Sequence, residues 1–336
     1  MIKNNSRAFV AGKSGGHIIP AITLAQDYKK QHPNADILFF SGDSALDKNL
    51  VSHENWTHVA LDVPNFPRKN IMRYPQFIYL FIRACVQSVT ALRRARIKSV
   101  VSTGGYISIP VCFAAKLLGI PYDLYEFNVM PGAAVTLLAR WAHGVYVTFA
   151  EAKKYISHNN IIVVDYPIRK GLSVHAPAES RAVLGLSPDM RVIFVMGGSQ
   201  GSQALNAIMM KYVALGACDN MYIIHQTGAH AVEDVRAYYA RHGVQHHVFS
   251  FEKNLSLYYS ASDLIITRAG AGSLFEILYL RKKAIVIPLV ASTTDHQVAN
   301  AQVMAERHPE LFVCLFQADI EKNISLFADR VQYLLL

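Results

Sequence analysis

Four short runs of small residues could each turn backbone N–H groups toward a phosphate, and the first of them ends in a histidine. Residues 11–20 read AGKSGGHIIP and follow the apolar run Ala8-Phe9-Val10. Gly12-Lys13-Ser14 suggests a nucleoside-triphosphate loop, but that loop needs a glycine five residues before its Gly-Lys pair. Arg7 stands at that position, and the residues between read as strand. Gly12, Gly15 and Gly16 also miss the G-x-G-x-x-G spacing of a dinucleotide site. What the run supports is a strand, a turn of small residues, and a helix from about His17 to Lys30 whose positive end suits an anion. A tight turn with no ligand fits a single run of this kind equally well. The chain repeats the device, however, at Thr103-Gly104-Gly105-Tyr106, Gly197-Gly198-Ser199-Gln200-Gly201 and Ala269-Gly270-Ala271-Gly272-Ser273. Four such turns together point to a site for one diphosphate or two.

The elements that must carry these turns alternate along the chain. Apolar strand, glycine turn and helix recur in RAFVAGKSGGHIIPAITLAQDYKK, KSVVSTGGYISIPVCFAAKLLGIP and YDLYEFNVMPGAAVTLLARWA. A stretch containing Pro167 and Pro177 has few regular signals, and a second series then opens at MRVIFVMGGSQGSQALNAIMMKYVAL. Continuous apolar strands alternating with helices imply parallel sheets covered on both faces. Two series imply two doubly wound α/β domains, 1–166 and 167–336, with ligands beyond the carboxyl ends of the strands and a cleft between the domains.

Composition narrows the class. The 336 residues are 52% hydrophobic and 17% charged, enough apolar content for two cores. No apolar run reaches the ~18 residues of a membrane span. The N-terminus lacks the apolar core of a signal peptide. The four cysteines are scattered and there is no Asp-x-Asp pair, so a reduced, cytoplasmic setting without a metal is expected. Over residues 1–165, Lys and Arg outnumber Asp and Glu 18 to 10. No acidic residue lies between Asp62 and Asp123, while nine bases do, among them Arg68, Lys69, Arg73 and Arg83. Residues 65–89 within that interval are also rich in aromatic and aliphatic side chains, the composition of a segment that rests on an anionic membrane surface. An amphipathic helix with its apolar side packed inward is the alternative. No nucleic-acid motif is present.

At this point the motifs resemble a known family. SGGHIIPA resembles the T-G-G-H-x-x-P-A loop of the MurG family, the lipid-linked N-acetylglucosaminyltransferases of bacterial peptidoglycan synthesis. GGYISIP is similar to the family's second glycine loop, and EFNVMPGAAVTLLAR to its H-E-Q-N-x-x-P-G-x-x-N segment. GGSQGSQALN, HQTG, RAGAGSLFE and DHQVANA follow in the family's order, so the resemblance covers about residues 8–304. It implies a GT-B fold, in which two Rossmann-like domains face a cleft, and an inverting transfer. The acceptor hydroxyl would be the 4-hydroxyl of undecaprenyl-diphosphate-N-acetylmuramyl-pentapeptide (lipid I) and the product lipid II. The N-terminal domain would take the lipid diphosphate and the membrane, and the C-terminal domain UDP-N-acetylglucosamine.

Residue by residue, the resemblance implies that Ser199 and Gln200 face the donor diphosphate and that Glu276 accepts from the ribose hydroxyls. Gln297 and Asn128 would contact the sugar, and Glu252 would meet uracil through its backbone. Arg169 would sit near the donor, with Ala271, Gly272 and Ser273 at the same site. Ser14, Gly15 and Gly16 would line the reaction centre, and Gly104, Gly105 and Tyr106 the acceptor diphosphate. His17 is placed to take the acceptor proton, with Glu126 as the rival base or its orienting partner; a helix cap and a structural carboxylate are the plainer readings of these two. No cofactor is implied. The location would be peripheral, on the cytoplasmic face of the inner membrane, with cell-wall synthesis proteins as candidate partners.

The chain departs from the family pattern in four places. Lys13 replaces a glycine, Tyr125 and Phe127 stand for histidine and glutamine, and Asp165-Tyr166 stand for Gly-Asn. The family pattern also continues beyond the final DRVQYLLL by a helix or two, so looser domain closure is expected. A related transferase with another lipid acceptor such as diacylglycerol, an epimerase acting on the UDP-sugar, and a non-catalytic UDP-sugar-binding protein are the alternatives.

Overall fold

Short runs of branched and aromatic residues form the strands, and those at the centre of each sheet are buried along nearly their whole length. The computed structural model describes residues 5–12, 15–64, 66–67, 71–198, 201–216, 218, 220–252, 254–290 and 295–336. The chain divides into two units, Met1–Arg169 and Lys170–Leu336. The first contains β1 (Arg7–Val10), α1 (Gly15–Gln31), β2 (Ile37–Gly42), α2 (Ala45–Ser52), β3 (Thr57–Leu61), α3 (Tyr74–Arg94), β4 (Ser99–Ser102), α4 (Ser108–Leu117), β5 (Tyr122–Glu126), α5 (Ala133–Ala139), β6 (Gly144–Val147) and β7 (Ile161–Val163). The second contains α6 (Pro177–Val183), β8 (Arg191–Met196), α7 (Gln203–Ala214), β9 (Met221–Gln226), α8 (Val232–Arg241), β10 (Gln245–Phe249) and α9 (Ser256–Ala261). It continues with β11 (Leu264–Thr267), α10 (Ala271–Tyr279), β12 (Lys283–Val286), α11 (Asp295–Arg307), β13 (Phe312–Cys314), α12 (Gln317–Lys322) and α13 (Ile324–Leu335).

Both sheets wind the same way. The first has the order β3-β2-β1-β4-β5-β6-β7 and the second β10-β9-β8-β11-β12-β13, and every pairing is parallel. Two Rossmann-like doubly wound sheets in one chain make the GT-B fold, as the sequence leads one to expect. In each sheet the order reverses beside its first strand, where connections leave toward opposite faces and open a crevice at the carboxyl ends. Val10 of β1 is level with Ser102 of β4, and Met196 of β8 with Thr267 of β11. The four glycine turns are therefore the four loops that leave these two reversal points.

The period of two along β1 sorts its side chains between two cores. Phe9 and Ala11 pack with Ile18, Phe39 and Val101 on one face, and Ala8 and Val10 with Phe40, Val100, Ile107 and Val111 on the other. The stretch around Pro167 and Pro177 is more regular than its sequence suggests. It holds β7 and α6, and Pro177 opens α6, where a missing N–H costs nothing. Arg181 of α6 ties this helix to the second sheet through two contacts with the Asp263 carboxylate, each 2.7 Å.

His225 of β9 is a polar group set deep in the second core. It is fully buried, its Nδ1 lies 2.8 Å from the Tyr239 hydroxyl, and its ring stacks on that phenol. Nε2 has no hydrogen-bond partner. Burial pushes the pKa down to about 3 from 6.5. The unfolded chain thus takes up a proton that the folded chain refuses, and the fold loses stability as pH falls from about 6.5 toward 3. His225→Phe removes this penalty while sacrificing the Tyr239 bond. In urea unfolding the variant is expected to be the less stable protein at about pH 7, and the gap to shrink or reverse near pH 4; a gap that stays constant over that range contradicts the assignment.

Candidate functional site

The first unit builds its site from the loops after β1, β4 and β5. His17 is the third residue of α1, and its ring is held by the loop after β4: Nδ1 lies 2.7 Å from the Thr103 carbonyl oxygen. A carbonyl only accepts, so Nδ1 carries the hydrogen and, in the neutral ring, Nε2 carries the lone pair. The two glycine loops approach to the limit. Gly105 has a φ of +86°, and a Cβ on it would lie 3.0 Å from the Gly12 carbonyl oxygen. A Cβ on Gly104 would lie 3.4 Å from the His17 ring. Gly15, Gly16, His17, Gly104, Gly105 and Tyr106 are thus gathered at one reversal point, whereas Lys13 and Ser14 lie outside the described residues.

Glu126 ends β5 and is 2% exposed. Its carboxylate organises the loop that follows. Oε1 accepts from the Asn128 backbone N–H and side-chain amide, each at 2.9 Å, and Oε2 from the Gly132 N–H at 2.8 Å. Among the described residues no hydrogen bond joins Glu126 to His17; the group that orients the imidazole is the Thr103 carbonyl. Asn128 is in turn fixed by Glu126.

The aromatic departures at 125, 127 and 166 form a connected run of rings, in which the Tyr125 and Phe127 ring centroids lie 6.3 Å apart. Tyr125 stacks on Tyr146, with ring centroids 4.7 Å apart and planes 12° apart, and borders the core under α1. Burial first, then the neighbouring Tyr146 hydroxyl, pushes its pKa up to about 12. Phe127 meets Tyr166 edge to face at 5.1 Å. Two replacements far apart in sequence therefore form one apolar pair.

The second unit builds its site from the loops after β8, β9, β11 and β12. A Cβ at Gly201, where φ is +76°, would run into the Thr227 carbonyl, so this loop lies directly on the loop after β9. Asn206 of α7 donates to the same carbonyl at 3.2 Å. Ser202 caps α7 by accepting from Leu205 N–H at 3.3 Å. Ser199 and Gln200 lie outside the described residues. Glu276 projects from α10 into a buried setting and accepts a 3.0 Å bond from the Tyr259 hydroxyl. Ala271, Gly272 and Ser273 form the first turn of that helix. Gln297 of α11 accepts from Leu289 N–H at 3.1 Å, and Asn300 donates to the Ala269 carbonyl at 3.2 Å. Glu252 is exposed and folds back onto the Asn254 N–H. Asn128 and Arg169 belong to the first unit.

One organising residue escapes the sequence reading. Arg268, 9% exposed, donates to Ser202 Oγ at 3.1 Å, to the Ile287 and Pro288 carbonyls at 3.0 and 3.4 Å, and to Gln317 Oε1 at 3.1 Å. It fastens three loops of the glycine-turn edge to one planar fork. A base directly after the apolar strand LIIT and before AGAG is the signal that could have found it. Among the described residues no group of His, Cys, Asp and Glu is placed to hold a metal.

Comparison with known proteins gives the following. Residues 8–147 match the N-terminal domain of glycosyltransferase family 28 and residues 192–324 its C-terminal domain. The UDP-N-acetylglucosamine--N-acetylmuramyl-(pentapeptide) pyrophosphoryl-undecaprenol N-acetylglucosamine transferase of Phocaeicola vulgatus is 30% identical over 93% of this chain and 84% of its own length. The protein of that name from Syntrophotalea carbinolica is 31% identical over 96% of this chain and 88% of its own. Among solved structures, Acinetobacter baumannii MurG superposes with a TM-score of 0.75 at 25% identity, covering 98% of this chain and 92% of that one.

The Arg268 fork generates a prediction about stability. Arg268→Met strands a hydroxyl, two carbonyls and an amide, and is expected to lower the unfolding free energy by about 2–4 kcal/mol, read as a fall in the urea midpoint. Arg268→Lys is expected to recover little of it, because a point ammonium cannot span four acceptors.

Proposed function

The chain belongs to glycosyltransferase family 28, among the N-acetylglucosaminyltransferases of peptidoglycan synthesis, and from that premise we propose how its residues carry out the reaction. It is a hexosyltransferase that moves N-acetylglucosamine from UDP-N-acetylglucosamine to the 4-hydroxyl of undecaprenyl-diphosphate-N-acetylmuramyl-pentapeptide, turning lipid I into lipid II. The acceptor oxygen bonds to the anomeric carbon as the bond from that carbon to UDP breaks, and the configuration inverts. One proton must leave the acceptor and one diphosphate charge must be stabilised.

His17 takes the proton. The observation that carries this assignment is the 2.7 Å bond from Nδ1 to Thr103, which leaves Nε2 as the lone-pair nitrogen at the mouth of the first glycine turn. Glu126 acts by shaping the 127–132 loop and presenting Asn128, since both of its oxygens are engaged there. The backbone of the 197–201 turn at the start of α7 receives the leaving diphosphate, with Ser199, Gln200 and Arg169 assisting. Glu276, held by Tyr259, accepts from the ribose hydroxyls, and Gln297 meets the sugar. The glycines at 104 and 105 give the lipid diphosphate close access to backbone.

The protein works at a membrane surface. No helix among the described residues is long and apolar enough to cross a membrane. The outer face of α3 instead carries Ile78, Ile82 and Val86 at one-turn spacing, each more than half exposed, beside exposed Tyr79 and Arg83. Phe113, Lys116 and Leu117 of α4, the helix packed against α3, are exposed as well. Apolar side chains set among bases suit the boundary between acyl chains and anionic headgroups. On this reading the protein is peripheral to the cytoplasmic face of the inner membrane.

Single-turnover transfer of labelled N-acetylglucosamine to a short-chain muramyl-pentapeptide lipid tests the reaction, with UDP-glucose and diacylglycerol as controls. His17→Ala is expected to slow transfer about 10²–10⁴-fold and to leave UDP-N-acetylglucosamine affinity unchanged; equal losses in both overturn the assignment. Ile82→Glu is expected to reduce co-sedimentation with anionic vesicles and to leave turnover on a soluble acceptor intact. Undiminished sedimentation returns α3 to ordinary packing.

A further inference from the structure

Thr103 spends every polar group it has on the segment that contains His17. Its N–H donates to the Val10 carbonyl at 3.1 Å, at the last residue of β1. Its carbonyl accepts from His17 Nδ1 at 2.7 Å. Its hydroxyl donates to the His17 carbonyl at 2.9 Å. One residue, 1% exposed, thus grips the chain on both sides of the first glycine turn: its backbone N–H holds Val10, its carbonyl the His17 ring and its hydroxyl the His17 backbone.

The carbonyl that aims the ring is itself aimed. Gly104 has a φ of +95°. Its N–H donates to Ser102 Oγ at 3.2 Å, Ser102 Oγ donates to Ser108 Oγ at 2.7 Å, and Ser108 Oγ donates to the Gly104 carbonyl at 2.7 Å. This closed run of buried hydroxyls sets the peptide planes on the far side of Thr103, where a carbonyl turned away would release the imidazole.

We propose that Thr103 is a positioning residue for the reaction, whose hydroxyl, through the His17 backbone, keeps the His17 ring in the Nδ1–H form with Nε2 directed at the acceptor hydroxyl. This rests on the reading of His17 as the base. The hydroxyl is not needed to satisfy a lone buried acceptor, because a carbonyl in the first turn of α1 is also available to the helix ladder. Its contribution is orientation, which acts only through a ring that is present and in use.

Thr103→Val keeps the shape and deletes the donor. It is expected to lower kcat about three- to tenfold with the KM for UDP-N-acetylglucosamine unchanged. Thr103→Ser is expected to restore most of the rate. In a His17→Ala background Thr103→Val is expected to change nothing further, whereas a general weakening of the fold would lower both backgrounds alike. Nitrogen-15 spectra of the neutral His17 ring are expected to show a single Nδ1–H tautomer in the wild type and a tautomer mixture in Thr103→Val. An unchanged kcat, an equal loss in the His17→Ala background, or a variant spectrum identical to wild type overturns the proposal. If His17→Ala alone transfers at the wild-type rate, the base reading fails, and the spectra still decide whether the clamp exists.

Discussion

A doubly wound sheet has one place where neighbouring strands send their connections to opposite faces, and the polypeptide must close the gap that opens there. Both units meet this constraint beside their first strand, between β1 and β4 and between β8 and β11. They close it with different chemistry. In the first unit, backbone packs against backbone at Gly12 and Gly105, and hydroxyls of Thr103, Ser102 and Ser108 absorb the loose peptide groups. In the second unit, a buried guanidinium, Arg268, gathers the loops. The first solution leaves room for an imidazole at the rim. The second buries a guanidinium whose pKa is lowered by that burial, and among the described residues its hydrogen-bond acceptors are a hydroxyl, two carbonyls and an amide.

The glycine turns, the strands before them and the helices after them were legible in the sequence because each is a local pattern: an apolar run, small residues, then a helical period. The winding of each sheet followed from their alternation. The clamp on His17 was not legible, because Thr103 stands 86 residues away and its part is played by a backbone carbonyl that any residue type would carry. The role of Glu126 was half legible. A carboxylate at a strand end was visible, but only the folded loop shows both oxygens bound to Asn128 and Gly132. Arg268 was overlooked because a base beside glycines reads as a surface charge until its four partners from three loops are seen together.

The outward stripe on α3 has an inward cause. The residues that α3 buries are Ala84, Ser88 and Leu92, two of them small. Small residues let two helices approach closely and leave little volume between them for large side chains. Ile78, Tyr79, Ile82 and Val86 lie on the face turned away from those buried residues. The small inward residues and the large exposed ones thus stand on opposite sides of the same helix.

The edge-to-face contact of Phe127 with Tyr166 joins two positions far apart in the chain. The two residues are 2% and 9% exposed. An amide at 127 facing the Tyr166 ring would be buried against a surface offering it little hydrogen bonding, and a small polar residue at 166 would open a void beside Phe127. Neither half of the exchange is comfortable without the other. The two positions are therefore coupled in this chain, and the effect of changing one depends on which residue the other holds.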